Sequence, residues 1–227
     1  MMYLNNFFFE IYPYLSITVF IIGSLMRFNY AQYGWTSASS QFLSTGGMSL
    51  ASNLFHVGLL LLMVGHFFGL LTPEFIYEKF ISVQHKQMLA MVAGGVFGSI
   101  CFVGMTMLVY RRLFNPRIRS TGTYMDIFIL LLIYLQLILG LCTIPISYHH
   151  SSGVEMVAMA SWLQHIITFR ASGASQFLIA VPLVYKLHII CGFSIILIFP
   201  FTRLVHVLSF PIMYFRRIGY QVVRRKL

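Results

Sequence analysis

Five long apolar runs constrain what this chain can fold into. A helix needs about 20 predominantly apolar residues to cross the hydrocarbon core of a bilayer. The sequence contains five stretches of that kind, approximately at residues 7–26, 50–71, 88–110, 125–147 and 183–204. They are apolar throughout, whereas the strands of a membrane barrel alternate apolar and polar side chains. The sequence therefore predicts an all-α integral membrane bundle of five transmembrane helices.

The composition agrees with a protein that spans a lipid bilayer. Of the 227 residues, 59% are hydrophobic and 9% are charged, and the mean hydropathy is +0.83. A soluble domain needs far more polar surface than this. The formal net charge of +10 suits anionic lipid or an acidic partner surface, and we expect no nucleic-acid partner. We expect a single domain over residues 1–227, with an uncleaved first helix because no basic region precedes it.

The distribution of Lys and Arg predicts the orientation. If the N-terminus lies outside, eleven basic residues fall on the inner side of the membrane and four on the outer side. Basic residues concentrate in cytoplasmic loops of membrane proteins. We therefore expect the N-terminus outside and the C-terminus, with a basic tail over 207–227, in the cytoplasm.

Four histidines interrupt the apolar runs or lie at their ends. His56 and His66 belong to the second run, and His188 and His206 to the fifth. Ionisable side chains inside membrane spans are costly and usually serve a function. Because the second and fifth helices are predicted to be antiparallel, His66 and His188 lie at matching depth near the outer side. His56 and His206 match more loosely near the inner side. The pattern suits two stacked cofactors between two helices.

The spacing of these histidines predicts a bent fifth helix. Along a straight helix, His56 and His66 are about 15 Å apart, and His188 and His206 about 27 Å. Eighteen residues make five whole turns, so His188 and His206 are predicted to share a helix face. Pro200 lies between them and favours a kink.

Two trans imidazoles without a nearby carboxylate or thiolate are typical ligands of a haem b. Zinc needs further ligands close by, and the three cysteines are too widely spaced for an iron–sulfur cluster. Glycines beside the second-helix histidines leave room for a macrocycle, although plain helix packing is the alternative interpretation for the pair Gly65 and Gly69. The glycines concerned are Gly58, Gly65 and Gly69.

Two arginines near the inner side are candidate partners of haem propionates. Arg203 precedes His206 by three residues and so shares its side of a helix. Arg112 ends the third apolar run at the same side. The alternative is that both are interfacial anchors whose charged heads reach for water.

The chain resembles the γ subunit of respiratory nitrate reductase, the cytochrome b anchor of that complex. The matching stretches are FFFEIYPY (7–14), ASNLFHVG (51–58), VGHFFGLLTP (64–73), RRLFNPRIR (111–119), LHIICG (187–192) and FPFTRLVH (199–206). The resemblance implies two haem b groups, an outer one held by His66 and His188 and an inner one held by His56 and His206. Arg112 and Arg203 match arginines near the propionates of the inner haem, and Lys86 matches a lysine that binds membrane quinol.

The resemblance also implies the function. We expect quinol oxidation at the outer side, proton release outside, and electron transfer to partner subunits on the cytoplasmic face. Those partners are an α subunit carrying molybdenum and a β subunit carrying iron–sulfur clusters, and the location is the bacterial cytoplasmic (inner) membrane. Nitrate reduction itself belongs to a partner subunit.

Two other functions fit the sequence less well. One is the cytochrome b anchor of another complex, such as a formate dehydrogenase, a hydrogenase or a nitrite-oxidising relative. The other is a histidine-lined proton or metal transporter. The absence of an internal repeat counts against the transporter.

Overall fold

Five long helices form the bundle. The computed structural model describes residues 2–37, 39–40, 43–44, 46–149 and 152–209. The helices long and apolar enough to cross a membrane are the first to fifth spans: Tyr3–Tyr30, Met48–Leu71, Val83–Phe114, Tyr124–His149 and Leu183–Phe201. No strand occurs among the described residues, so the all-α prediction is confirmed. The orientation of the termini stays a prediction, and all but 207–209 of the predicted basic tail lies outside the described residues.

Shorter elements interrupt or connect the spans. The first span consists of Met2–Asn6, a π-helical turn Phe7–Ile11 and Tyr12–Tyr30, and the fifth consists of Leu183–Ile198 and a 3₁₀ turn Phe199–Phe201. The connecting elements are Gln32–Gly34, Glu74–Tyr77, Pro116–Thr121, Val154–Ile167, Ala174–Leu178 and Arg203–Ser209. The loop after the fourth span therefore contains a helix of its own, Val154–Ile167.

The spans pack as a chain of neighbours. The second span packs on the third, the third on the fourth, the fourth on the fifth, and the fifth on the first. The second and third spans approach closely, since a Cβ on Gly58 would lie 2.7 Å from the Cβ of Cys101. In the described part of the chain, the second and fifth spans are not among the closely packed pairs. Side chains from these two spans therefore meet across a gap.

Helix Val154–Ile167 is anchored to the start of the first span by a tryptophan. Pro13 has no N–H to donate to the carbonyl of Phe9, four residues earlier. That carbonyl instead accepts the indole N–H of Trp162 at 2.8 Å, and Trp162 is only 3% exposed. The π-helical turn Phe7–Ile11 lies just before Pro13, where such irregular turns are expected.

The fifth span breaks at Pro200 instead of bending smoothly. Its α-helix ends at Ile198, Thr202 is extended with φ −115° and ψ 176°, and a separate 3₁₀ segment Arg203–Ser209 follows. The prediction that His188 and His206 share one face of a continuous helix is therefore wrong. Pro200 lacks the N–H that would continue the ladder, so the 27 Å rise computed for a straight helix does not apply.

Arg27 satisfies the carbonyl groups that this break exposes. Its guanidinium donates to the carbonyl oxygens of Pro200 and Thr202, each at 2.7 Å, and to that of Gly34 at 2.7 Å. A Cβ on Gly23 would lie 2.9 Å from the Cβ of Pro200, so the first span lies directly against the break. The segment that carries His206 is thus held by the first span.

Candidate functional site

His66 and His188 meet across the gap between the second and fifth spans. Their ring centroids are 6.1 Å apart and their planes differ by 30°. His66 lies near the C-terminal end of the second span, and His188 near the N-terminal end of the fifth. The structure therefore brings together the pair predicted from matching depth. The end of the bundle that contains this pair is called the His66 end below, and the opposite one the His206 end.

His188 lies against the fourth span, which was not predicted to contribute to the site. Its Nδ1 donates to the backbone carbonyl of Gln136 at 3.1 Å, and the side-chain amide of Gln136 lies 3.3 Å from its Nε2. A Cβ on Gly140, one turn further on, would lie 3.0 Å from Cε1 of His188. An amide in an otherwise apolar run, with a glycine four residues later, was the available signal for this contact.

The four predicted ligands share a tautomer. The Nδ1 atoms of His56, His66 and His206 contact the carbonyl oxygens of Ser52, Leu62 and Arg203 at 2.7, 2.8 and 2.6 Å. With the proton on Nδ1, the lone pair on Nε2 is available to a metal or a donor. His165 makes the same kind of bond to the carbonyl of Ser161, so the tautomer alone does not identify a ligand.

His56 and His206 are less closely associated than the first pair. His56 is exposed on the second span, and His206 lies on the 3₁₀ segment beyond the Pro200 break. Within the described ranges, these two rings make no contact like that of His66 with His188. Their pairing stays a prediction.

Arg112 and Arg203 lie near one carboxylate at the His206 end. Arg112 is 7% exposed and its guanidinium forms a 2.9 Å ion pair with Asp126. Burial lowers the pKa of Arg203, Asp126 raises it, and Arg112 lowers it. The three groups therefore interact electrostatically. Arg203 also donates to the carbonyl of Ser37. The cluster thus contains two guanidinium groups and one carboxylate.

Lys86 is a buried cation at the His66 end. It lies in the first turns of the third span, which begins at Val83, and it is 9% exposed. Among the described residues, its Nζ has no hydrogen-bond partner. Nζ lies 3.5 Å from the centroid of the Tyr77 ring. A buried ammonium without an acceptor is costly, so this position favours a ligand that supplies an oxygen atom.

The glycines predicted to leave room for a macrocycle fall into two groups. Nothing lies within 4 Å of a Cβ built on Gly65 or Gly69, which flank His66. Gly58, in contrast, packs against Cys101 of the third span. The interpretation of Gly58 as part of a cofactor space is therefore wrong, because Gly58 instead allows the second and third spans to approach each other closely.

Two known proteins resemble this chain over nearly its whole length. The chain is 50% identical to the respiratory nitrate reductase 1 gamma chain of Escherichia coli (strain K12) over 226 residues, 100% of each chain. It is 36% identical to the nitrate reductase gamma chain of Bacillus subtilis (strain 168) over 217 residues, 95% of this chain and 96% of that one. The family described as "Nitrate reductase gamma subunit" matches residues 5–226. The chain therefore belongs to the nitrate reductase gamma subunit family.

Proposed function

We propose that this chain is the di-haem b, quinol-oxidising membrane subunit of a respiratory nitrate reductase. The observation that carries this proposal is the His66–His188 pair, found at the gap between two spans in a member of this family. The chain passes electrons from membrane quinol to partner subunits at the cytoplasmic face. These are an α subunit with molybdenum and a β subunit with iron–sulfur clusters.

The residues around the first pair fit a haem b. A metal–imidazole nitrogen bond is about 2 Å long, so two imidazoles that would hold one iron between them need ring centres roughly 6 Å apart. The observed separation is 6.1 Å. Gly65 and Gly69 leave open space beside His66. The Nδ1 bonds of His66 and His188 to backbone carbonyls orient both rings and increase their basicity as ligands.

The chain's own residues define two ends of an electron path. His66 and His188 would hold one haem b, and His56 and His206 the other. When bound, these groups supply one-electron transfer between the two ends of the bundle. Arg112 and Arg203 would hold the anionic propionates at the His206 end, where both guanidinium groups lie near Asp126.

Lys86 supplies the contact to quinol. Its buried ammonium has three N–H donors and no acceptor among the described residues, and a quinol oxygen provides that acceptor. The site is at the end that the Lys and Arg distribution predicts to be outside, so protons released there leave on the outer side. Inward electron transfer combined with outward proton release makes the reaction electrogenic.

An optical spectrum tests the cofactor. The purified complex is expected to show reduced b-type haem bands and two haems for each copy of this chain. A preparation of the intact complex without those bands would rule out the electron-transfer function. The co-purified subunits distinguish a nitrate reductase from a formate dehydrogenase or hydrogenase, because the partners carry the terminal active site.

Replacing Lys86 with alanine is expected to raise the KM for quinol by about 10- to 100-fold, the usual contribution of a hydrogen bond from a charged group. Both haems should remain. Steady-state oxidation of tetramethylbenzoquinol with nitrate as acceptor measures this. Lys79→Ala is the matched control, since Lys79 is an exposed lysine on the same loop. An unchanged KM in Lys86→Ala would reject the assigned role.

A further inference from the structure

The ammonium of Lys86 lies on the face of the Tyr77 ring. Nζ is 3.5 Å from the ring centroid, and the two residues are 9% and 7% exposed. An ammonium within about 6 Å of an aromatic centroid is attracted by the ring quadrupole, and the attraction strengthens when both groups are desolvated. The contact of Lys86 with Tyr77 is therefore a strong cation–π interaction.

The third span itself does not favour a cation at this position. Ser82 caps the helix and accepts the N–H of His85, so Lys86 lies in the turn that follows the cap. The N-terminal end of a helix carries a partial positive charge, which repels a nearby ammonium. Because Nζ also lacks a hydrogen-bond acceptor among the described residues, the Tyr77 ring is the group in direct contact with it, and the Glu74 carboxylate adds a longer-range attraction.

The backbone of the loop holds Tyr77 firmly. Its N–H donates to the carbonyl of Pro73 at 3.3 Å, and its carbonyl accepts from the N–H groups of Phe80 and Ile81, both at 2.9 Å. Burial raises the pKa of Tyr77, and the carboxylates of Glu74 and Glu78 raise it further. The phenol therefore stays protonated and its ring stays neutral.

We propose that Tyr77 is a positioning residue of the quinol site, which holds the Lys86 ammonium where it can donate to a quinol oxygen. This inference rests on the proposed function, in which Lys86 binds quinol. A ring face attracts the ammonium charge but is not a hydrogen-bond acceptor that fixes the direction of each N–H. Tyr77 thus stabilises the buried cation while leaving it free to bind its substrate.

The test compares leucine and phenylalanine at position 77 in the intact complex, with tetramethylbenzoquinol as donor and nitrate as acceptor. Tyr77→Leu removes the ring and is expected to raise the KM about tenfold, with kcat and both haem spectra nearly unchanged. Tyr77→Phe keeps the ring and should retain a KM close to that of the unchanged protein. Phe80→Leu is the control, because Phe80 is an aromatic residue of the same loop that is 85% exposed. If the complex with Tyr77→Leu does not assemble, Tyr77→Met also removes the ring and is measured in its place.

The double variant separates this proposal from the proposed function. If Tyr77 acts through Lys86, then Tyr77→Leu with Lys86→Ala should have the same KM as Lys86→Ala alone. A raised KM in Lys86→Ala with an unchanged KM in Tyr77→Leu would overturn the role of Tyr77 only. The same conclusion would follow if the effects of the two substitutions on KM were additive, or if Tyr77→Phe did not retain the KM of the unchanged protein. An unchanged KM in Lys86→Ala would instead overturn the quinol site itself.

Discussion

Replacing His188 with leucine is expected to remove one of the two proposed b-type haems and to lower quinol-driven nitrate reduction by at least about 100-fold. Losing a group that only orients a metal ligand commonly costs 10- to 100-fold, and this substitution removes the ligand. His66 alone would then face an open coordination position. The ratio of haem to protein and the reduced optical spectrum measure the loss.

The other histidines provide the comparison. His66→Leu should lose the same haem as His188→Leu, whereas His206→Leu should retain it and lose the second one. His165→Leu is a matched control, since this ring also bonds the carbonyl one turn earlier in its helix and is not a proposed ligand. Equal loss of both haems from all three ligand variants would contradict the proposed pairing.

Replacing Gly140 with leucine is expected to affect haem content and quinol oxidation nearly as strongly, although Gly140 is not itself a proposed haem ligand. A Cβ at this position would already lie 3.0 Å from Cε1 and 3.5 Å from Nδ1 of His188. A full side chain would overlap the imidazole, so His188 would have to leave the orientation set by the carbonyl of Gln136. We expect loss of the haem at His66 and His188, and quinol oxidation reduced at least tenfold.

Two further variants test this steric explanation. Gly140→Ala adds only the Cβ and should retain most of the haem, because a shift of a few tenths of an ångström relieves the contact. Leu135→Phe adds bulk to a side chain of the same span that is 47% exposed, and it should leave both haems in place. Full haem content in Gly140→Leu would show that the orientation of the His188 ring does not depend on the space beside Gly140.

The long-range features of the fold could be predicted because membrane solvation dominates them. Runs of apolar residues long enough to cross a bilayer have few alternative structures, and all five predicted spans are present. The local geometry at Pro200 was harder to predict. Pro can kink a helix or end it, and the outcome here depends on Arg27, a residue of another span that binds the exposed carbonyls.

The site was predicted only in part, for a similar reason. Depth along two antiparallel helices predicted that His66 and His188 would meet, and their rings do so. Gln136 and Gly140 were not assigned. The amide in an apolar run marked the fourth span as unusual, but it did not identify the fifth span as the neighbour that Gln136 contacts. Lys86 came from resemblance, whereas its contact with Tyr77 depends on how the loop between the second and third spans folds.

The contact of Arg27 with Pro200 and Thr202 has a consequence for biogenesis. The first span leaves the ribosome before any other, and the segment bearing His206 emerges nearly last. A helix that is synthesised earlier therefore provides the surface on which the turn bearing His206 packs. The first and fifth spans are thus joined at this place, and the local geometry of the segment bearing His206 is completed when they meet.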